Sequence, residues 1–201
     1  PEIKIFDCGS DANQLEESMA ILSTIKQDPW LHYGGVIAIH REVNDKIVND
    51  QLKHSNVLAV MQLSEFKKHI GRLLRILVRN KQFLFQRGMQ RNLLNKVAGT
   101  FIMDNDPLDI AVYTNLVSNF LYNANLISLD DKEKLHVALQ ELLINAIEHG
   151  NCKIGYSEKT AWLEAGKHPM DLIRSKNSDP AIAKRKVKLE YDIGRESSRF
   201  T

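Results

Sequence analysis

Three polar residues at four-residue steps, Glu141, Asn145 and His149, are followed at once by Gly150. On a helix such steps bring side chains onto one side, so a carboxylate, an amide and an imidazole would project together. A carboxylate and an amide one turn apart on an otherwise apolar helix form a donor set for a hard cation. Oxygen ligands of this kind suit Mg²⁺, which keeps several waters and takes its other ligands from nucleotide phosphates. The helix that must carry them is legible as well. Leu135, Ala138, Leu139, Leu142 and Ala146 recur at the spacing of one buried face. Ser128, with Asp131 three residues on, makes a capping box at its start. Gly150 is the expected stop, because glycine tolerates a left-handed C′ position.

The run Glu141-Leu-Leu-Ile-Asn145-Ala-Ile-Glu148-His149-Gly150 resembles the N-box of the GHKL ATPases, the group containing gyrase, Hsp90, MutL and the histidine kinases. It is most similar to the anti-sigma-factor serine kinase branch. The preceding segment fits the same pattern: Phe101 to Pro107, then a helix through Tyr113, Leu116, Phe120 and Leu121. The resemblance implies ATP and Mg²⁺ as cofactors. It makes Asn145 the metal ligand, through its side-chain oxygen, and Glu141 the group that positions or deprotonates the attacking hydroxyl or water. His149 and Gly150 are the further cofactor-binding positions. The family's adenine-binding Asp-x-Gly-x-Gly motif is expected after the next strand; Asp192-Ile-Gly194 lies within a predicted strand and lacks the second glycine. The chain is therefore expected to hold the Mg²⁺ half of a nucleotide site without the adenine half, as a piece of a longer protein.

The first third alternates short apolar runs with helical patterns. Ile3 to Asp7 reads as a strand ending in a carboxylate, and Asp11 to Lys26 as a helix with Leu15, Met19, Leu22 and Ile25 on its apolar stripe. Asp28-Pro29 breaks the helix, and Gly34-Gly35 leads into Val36–Ile39, a strand of the fully buried kind. A short helix from Asp45 to Leu52 and a second buried strand, Val57–Val60, complete an α/β layer with a mostly parallel sheet. This half resembles the second part of a response-regulator receiver domain, with Ile25 to Leu31 as the segment before its fourth strand. The resemblance makes Asp7 the phosphoacceptor. It departs from the family near His40, where a hydroxyl is expected, and at Gln62, where a lysine is expected; the acidic Mg²⁺-binding pair would lie upstream of Pro1. Two readings of Asp7 stay open, a working phosphoacceptor and a degenerate receiver used for docking.

Ser64 to Asn95 reads as one long helix, capped by Ser64 and weakened at Gly71 and Gly88. Leu63, Ile70, Leu77 and Leu84 are spaced by seven, with Phe66 and Leu73 interleaved, as in a coiled-coil seam. Lys68, Arg72, Arg75 and Arg79 form a basic stripe beside it. That stripe fits a solvated face on a signalling helix that pairs with its twin. Nucleic-acid binding is the competing reading, but no aromatic platform or recognition motif accompanies the charge. His69 lacks the acidic neighbour and downstream proline of the sensor kinases' phosphohistidine, and is expected to be an exposed helical residue.

Beyond Gly150, Cys152 to Tyr156 is expected to be a short strand and Ser157 to Ala165 a helix. Asp171 to Lys186 is polar and basic, with a turn at Ser178-Asp-Pro180, and reads as a mobile insertion. Lys186 to Ile193 alternates polar and apolar residues like a strand with one wet face. A hairpin turn over Arg195 to Ser198 and a strand from Arg199 follow.

Composition excludes little. The chain has 201 residues, 43% of them hydrophobic, with a net charge of +2, ordinary for a globular protein. No apolar run approaches the ~20 residues that span a bilayer. Cys8 and Cys152 have no metal or redox spacing and suit free thiols in a reducing cytoplasm. The expected organisation is a receiver-like α/β domain over 1–63, a long basic dimerisation helix over 64–98, and the start of a GHKL (Bergerat) α/β sandwich over 99–201, with helices on one face of a mixed sheet. The expected function is an ATP-binding signalling module of bacterial signal transduction, an anti-sigma-type serine/threonine kinase regulated by its receiver-like domain. Its expected partners are a second copy and a sigma factor or anti-sigma antagonist, not a membrane or nucleic acid. The alternative is a non-catalytic, partner-sequestering module on the same fold.

Overall fold

The computed structural model describes residues 3–27, 34–41, 45–53, 55–80, 96–194 and 197–201. They form two compact units that interleave in sequence: Pro1–Asn95 with Asn115–Lys134, and Lys96–Thr114 with Leu135–Thr201.

The first unit is an α/β layer. Its strands Ile3–Asp7 (β1), Gly35–His40 (β2) and Val57–Gln62 (β3) are parallel and ordered β1-β2-β3. Ala12–Gln27 (α1) and Asp45–Gln51 (α2) make the two crossovers. The central strand β2 is buried along its whole length, as its uninterrupted apolar run requires. Leu15, Leu22, Val48 and Leu52 pack with Cys8, Val36, Ala38 and Val57 into one cluster. Each such buried aliphatic side chain contributes about 1.5–3 kcal/mol.

Leu63–Arg79 (α3) follows β3 without a loop. Gln62, not Ser64, is its N-cap residue, and no side chain caps it. The predicted seam faces inward: Leu73 and Leu77 are buried, together with Ile76, and Leu63, Phe66 and Ile70 are half-buried. His69 is half-buried rather than exposed, its Nε2 3.3 Å from Glu65. The helix stops on Asn80, whose backbone N–H and side-chain amide both donate to the Ile76 carbonyl. The helix predicted over 64–95 is thus seen as far as Arg79. Leu84 and Gly88 lie outside the described residues, and Lys96–Ala98, assigned to the linker, opens a strand.

Residues from the middle of the chain complete this unit. In Ile110–Asn123 (α4), Asn119 and Asn123 donate their side-chain amides to the Leu58 and Val57 carbonyls at 3.2 and 3.0 Å. Tyr122 donates to Asp50 Oδ1 at 2.5 Å, and Lys132 to Asn49 Oδ1 at 2.6 Å. Burial, and then the Asp50 contact, push the Tyr122 hydroxyl up to about 12.

The second unit pairs Lys96–Asp104 (β4) with Lys186–Gly194 (β5), and β5 with Ser198–Phe200 (β6). The mixed sheet predicted here is corrected: both described pairings are antiparallel. On β5, Val187, Leu189, Tyr191 and Ile193 point inward, as the alternation predicts. Phe101 stacks on Tyr191 with ring centroids 4.8 Å apart. Gly99 lies opposite Tyr191 in the register. A Cβ there would fall 2.4 Å from the Tyr191 hydroxyl oxygen, so the tyrosine takes the space a side chain would fill.

The segment after residue 151 also differs from expectation. Cys152 to Tyr156 is not a strand, because Lys153 adopts a left-handed φ of 55°. The helix expected over Ser157 to Ala165 is present as Tyr156–Glu164 (α5), and in place of a mobile insertion there are two short helices, Pro169–Lys176 (α6) and Pro180–Ala183 (α7). His168 caps α6 and Asp179 caps α7, and Leu172 and Ile173 are buried. Buried Asn105 secures the segment: it donates to Asn177 Oδ1 at 2.8 Å and accepts from Asn151 at 3.0 Å. The Asn177 amide returns a bond to the Asn105 carbonyl at 2.6 Å. A polar cluster of this kind is worth its burial only when its members are paired.

Candidate functional site

The helix Leu129–Asn145, hereafter the Glu141 helix, starts as predicted. Ser128 Oγ accepts from the Asp131 N–H at 3.1 Å and donates to the Asp131 carboxylate at 2.7 Å. Its inward stripe is not the predicted one. Leu139, Leu143 and Ile147 are buried, whereas Ala138 is exposed and Leu142 is 43% exposed. A run of consecutive apolar residues supports more than one face, and packing selected the four-residue series. That choice sets Glu141 in solvent and Asn145 half in.

Glu141 and Asn145 are brought together: Asn145 Nδ2 donates to Glu141 Oε1 at 3.0 Å. Because Glu141 holds the amide's nitrogen, the amide's oxygen, Oδ1, is presented on the opposite side. Among the described residues, no group of three or more His, Cys, Asp or Glu side chains is arranged to hold a metal ion. A cation at Asn145 would draw its remaining ligands from water and phosphate, the coordination Mg²⁺ prefers. Asn145 Oδ1 is an oxygen donor of the hard type that ion takes.

His149 and Gly150 do not join them. From Ala146 to Asn151 the backbone widens into a π-helical turn, which breaks the four-residue alignment. His149 Nδ1 lies 2.7 Å from the Ile154 carbonyl oxygen; a carbonyl only accepts, so this nitrogen carries the proton. Gly150 is exposed within the π turn and does not stop it; the left-handed residue is Lys153.

The π turn instead buries a residue that the sequence did not single out. Glu148 is 4% exposed, and the Lys159 ammonium straddles its carboxylate, 2.7 Å from Oε1 and 3.0 Å from Oε2. His149 Nε2 stands 3.5 Å from the same Oε1. The signal was present in Glu148's place beside Ile147 on an apolar face. Its partner, however, comes from the following helix, α5, at no spacing the sequence marks as a pair.

No protein-family model, curated protein or solved structure matches the chain.

In the first unit, Asp7 ends β1 as predicted. Its carboxylate is met by both ends of the Arg41 guanidinium, Nη1 at 2.9 Å from Oδ1 and Nη2 at 2.8 Å from Oδ2. The Gly9 N–H adds a third donor at 2.9 Å. The hydrogen bonds from Arg41, outweighing the effect of burial and helped by Gly9, hold the Asp7 carboxyl below its ordinary value. Arg41, directly after His40, has no sequence spacing that marks it as the partner of Asp7, and the receiver resemblance points to a hydroxyl at that strand end. Cys8, fully buried, has its thiol pushed up to about 12 by burial and by the Asp7 charge, so it is inert as a nucleophile. Cys152 is likewise a buried free thiol, raised chiefly by burial. Among the described residues no helix is long and apolar enough to cross a membrane.

Proposed function

We propose that this chain is an ATP-binding signalling module of the histidine-kinase-like ATPase fold, acting as an anti-sigma-factor-type serine/threonine kinase under a receiver-like first unit. The observation that carries the reading is the Asn145–Glu141 hydrogen bond, which orients an amide oxygen beside an exposed carboxylate. Asn145 Oδ1 would hold Mg²⁺, and the Mg²⁺ would supply charge neutralisation on the phosphates. Glu141 keeps a carboxylate oxygen that would take the proton of an incoming hydroxyl. Asn145 in turn fixes the rotamer from which Glu141 acts. The protein substrate would be a sigma-factor antagonist, and a second copy of the chain its dimer partner.

A second reading, a partner-sequestering module that does not turn ATP over, is favoured by the apolar side chains beside Glu141. Val137 is 64% exposed and Leu142 43%, a surface suited to a protein partner.

The test is Mg²⁺-ATP calorimetry on the protein and on Asn145→Ala. Binding that falls at least about tenfold in the variant, the worth of one ligand bond to a charged partner, supports the kinase reading. Absence of binding in both, with the fold intact by circular dichroism, leaves the sequestering module.

A further inference from the structure

The carboxyl ends of parallel strands are where α/β layers usually present ligand-binding groups. In the first unit that end is taken by the chain itself. β1 and β2 stay paired past their last residues: the Cys8 N–H donates to the Ile39 carbonyl at 2.7 Å, and the Arg41 N–H to the Gly9 carbonyl at 3.1 Å. This pairing sets the Arg41 side chain over Asp7. Gly9, at φ +76°, makes the turn beneath, and a Cβ there would fall 2.4 Å from the Gln14 Cβ. Gln14 Oε1 accepts the Ser10 N–H at 2.7 Å and fixes the turn's far side. The result is a fork-on-fork pair in which both carboxylate oxygens are engaged, the strongest geometry available to these groups.

We propose that Arg41 is an intramolecular latch on Asp7: its guanidinium holds both oxygens of the carboxylate and keeps them from an external phosphoryl donor or divalent cation. The inference rests on the receiver-like reading of this unit and deepens it, by naming the residue that decides whether Asp7 reacts. Attack on an acyl phosphate requires an Asp7 oxygen lone pair to form the new P–O bond. The donor's P–O bond breaks, and its acyl group leaves as a carboxylate with the electron pair; no proton is exchanged. Arg41 occupies the attacking lone pairs, and its charge repels the Mg²⁺ that accompanies the donor.

The experiment uses the full chain, with acetyl phosphate and Mg²⁺ as the probe and intact and peptide mass as the readout. Arg41 and Asp7 are both partly exposed, with side chains 43% and 45% accessible, so Arg41→Gln is expected to fold. Arg41→Lys, which keeps the charge and loses the fork, provides a second comparison. The latch predicts a phosphoryl adduct on Asp7 that forms roughly tenfold faster in Arg41→Gln than in the wild type, with Arg41→Lys between them. The adduct should vanish in Arg41→Gln combined with Asp7→Asn. Equal labelling of wild type and Arg41→Gln would overturn the latch. No labelling of either would overturn it too, leaving the pair a brace between β1 and β2. Mg²⁺-ATP binding through Asn145 is scored separately, so failure of the latch and failure of the kinase reading are distinguishable.

Discussion

Asn145 and Glu141 fix each other: the amide nitrogen of one is held 3.0 Å from a carboxylate oxygen of the other, one helical turn away. The bond leaves the Asn145 amide oxygen and the second Glu141 carboxylate oxygen outside the pair, the two atoms that the proposed function assigns to a cation and to a proton.

Glu141→Gln tests that division of labour. Glutamine retains an oxygen to accept from Asn145, so the amide keeps its orientation, but the base is gone. Mg²⁺-ATP affinity should stay within about threefold, while ATP turnover falls by about 10²–10⁴. Calorimetry and steady-state hydrolysis read the two separately. Unchanged turnover would remove Glu141 from the chemistry.

The Asp7–Arg41 pair should be visible in acid. The folded Asp7 carboxyl lies below its ordinary value of 3.8, so the unfolded chain binds its proton first as pH falls. The pair's contribution is fully present above about pH 5 and is lost as pH falls through the folded value. Partial exposure of both side chains keeps it small. Arg41→Gln should therefore flatten the acid limb of a melting-temperature profile and leave its neutral region nearly unchanged. An identical acid limb in the variant would count against the pair.

Lys159 holds a buried charge, and its removal should cost more than its own contacts. Lys159→Met leaves the Glu148 carboxylate buried and uncompensated, a loss of about 3 kcal/mol for such pairs. Replacing both, with Glu148→Gln, should recover part of that loss. Denaturant unfolding of the two single variants and the double variant gives the coupling directly. Additive losses would show that Glu148 is solvated well enough not to need its lysine.

The sequence made the local elements readable where a pattern had one solution. The capping box at Ser128 and Asp131, the buried run of β2 and the alternation on β5 each occur where periodicity and chemistry agreed. The inward face of the Glu141 helix was not readable, because Leu142 and Leu143 are adjacent and periodicity alone does not choose between them. The contacts of His149 depended on a π turn, a local widening with no composition signal. Long-range partners were the least legible. Arg41 for Asp7 is 34 residues away and Lys159 for Glu148 is 11, and neither follows a fixed spacing in the chain.

The two units interleave, with α4 passing from one to the other between Thr114 and Asn115 and the Glu141 helix between Lys134 and Leu135. No single cut in the polypeptide therefore yields either unit whole. Any rearrangement that borrowed one of them by simple end-to-end fusion would leave it without one of its two segments. Inheritance and engineering alike have to move the two units together.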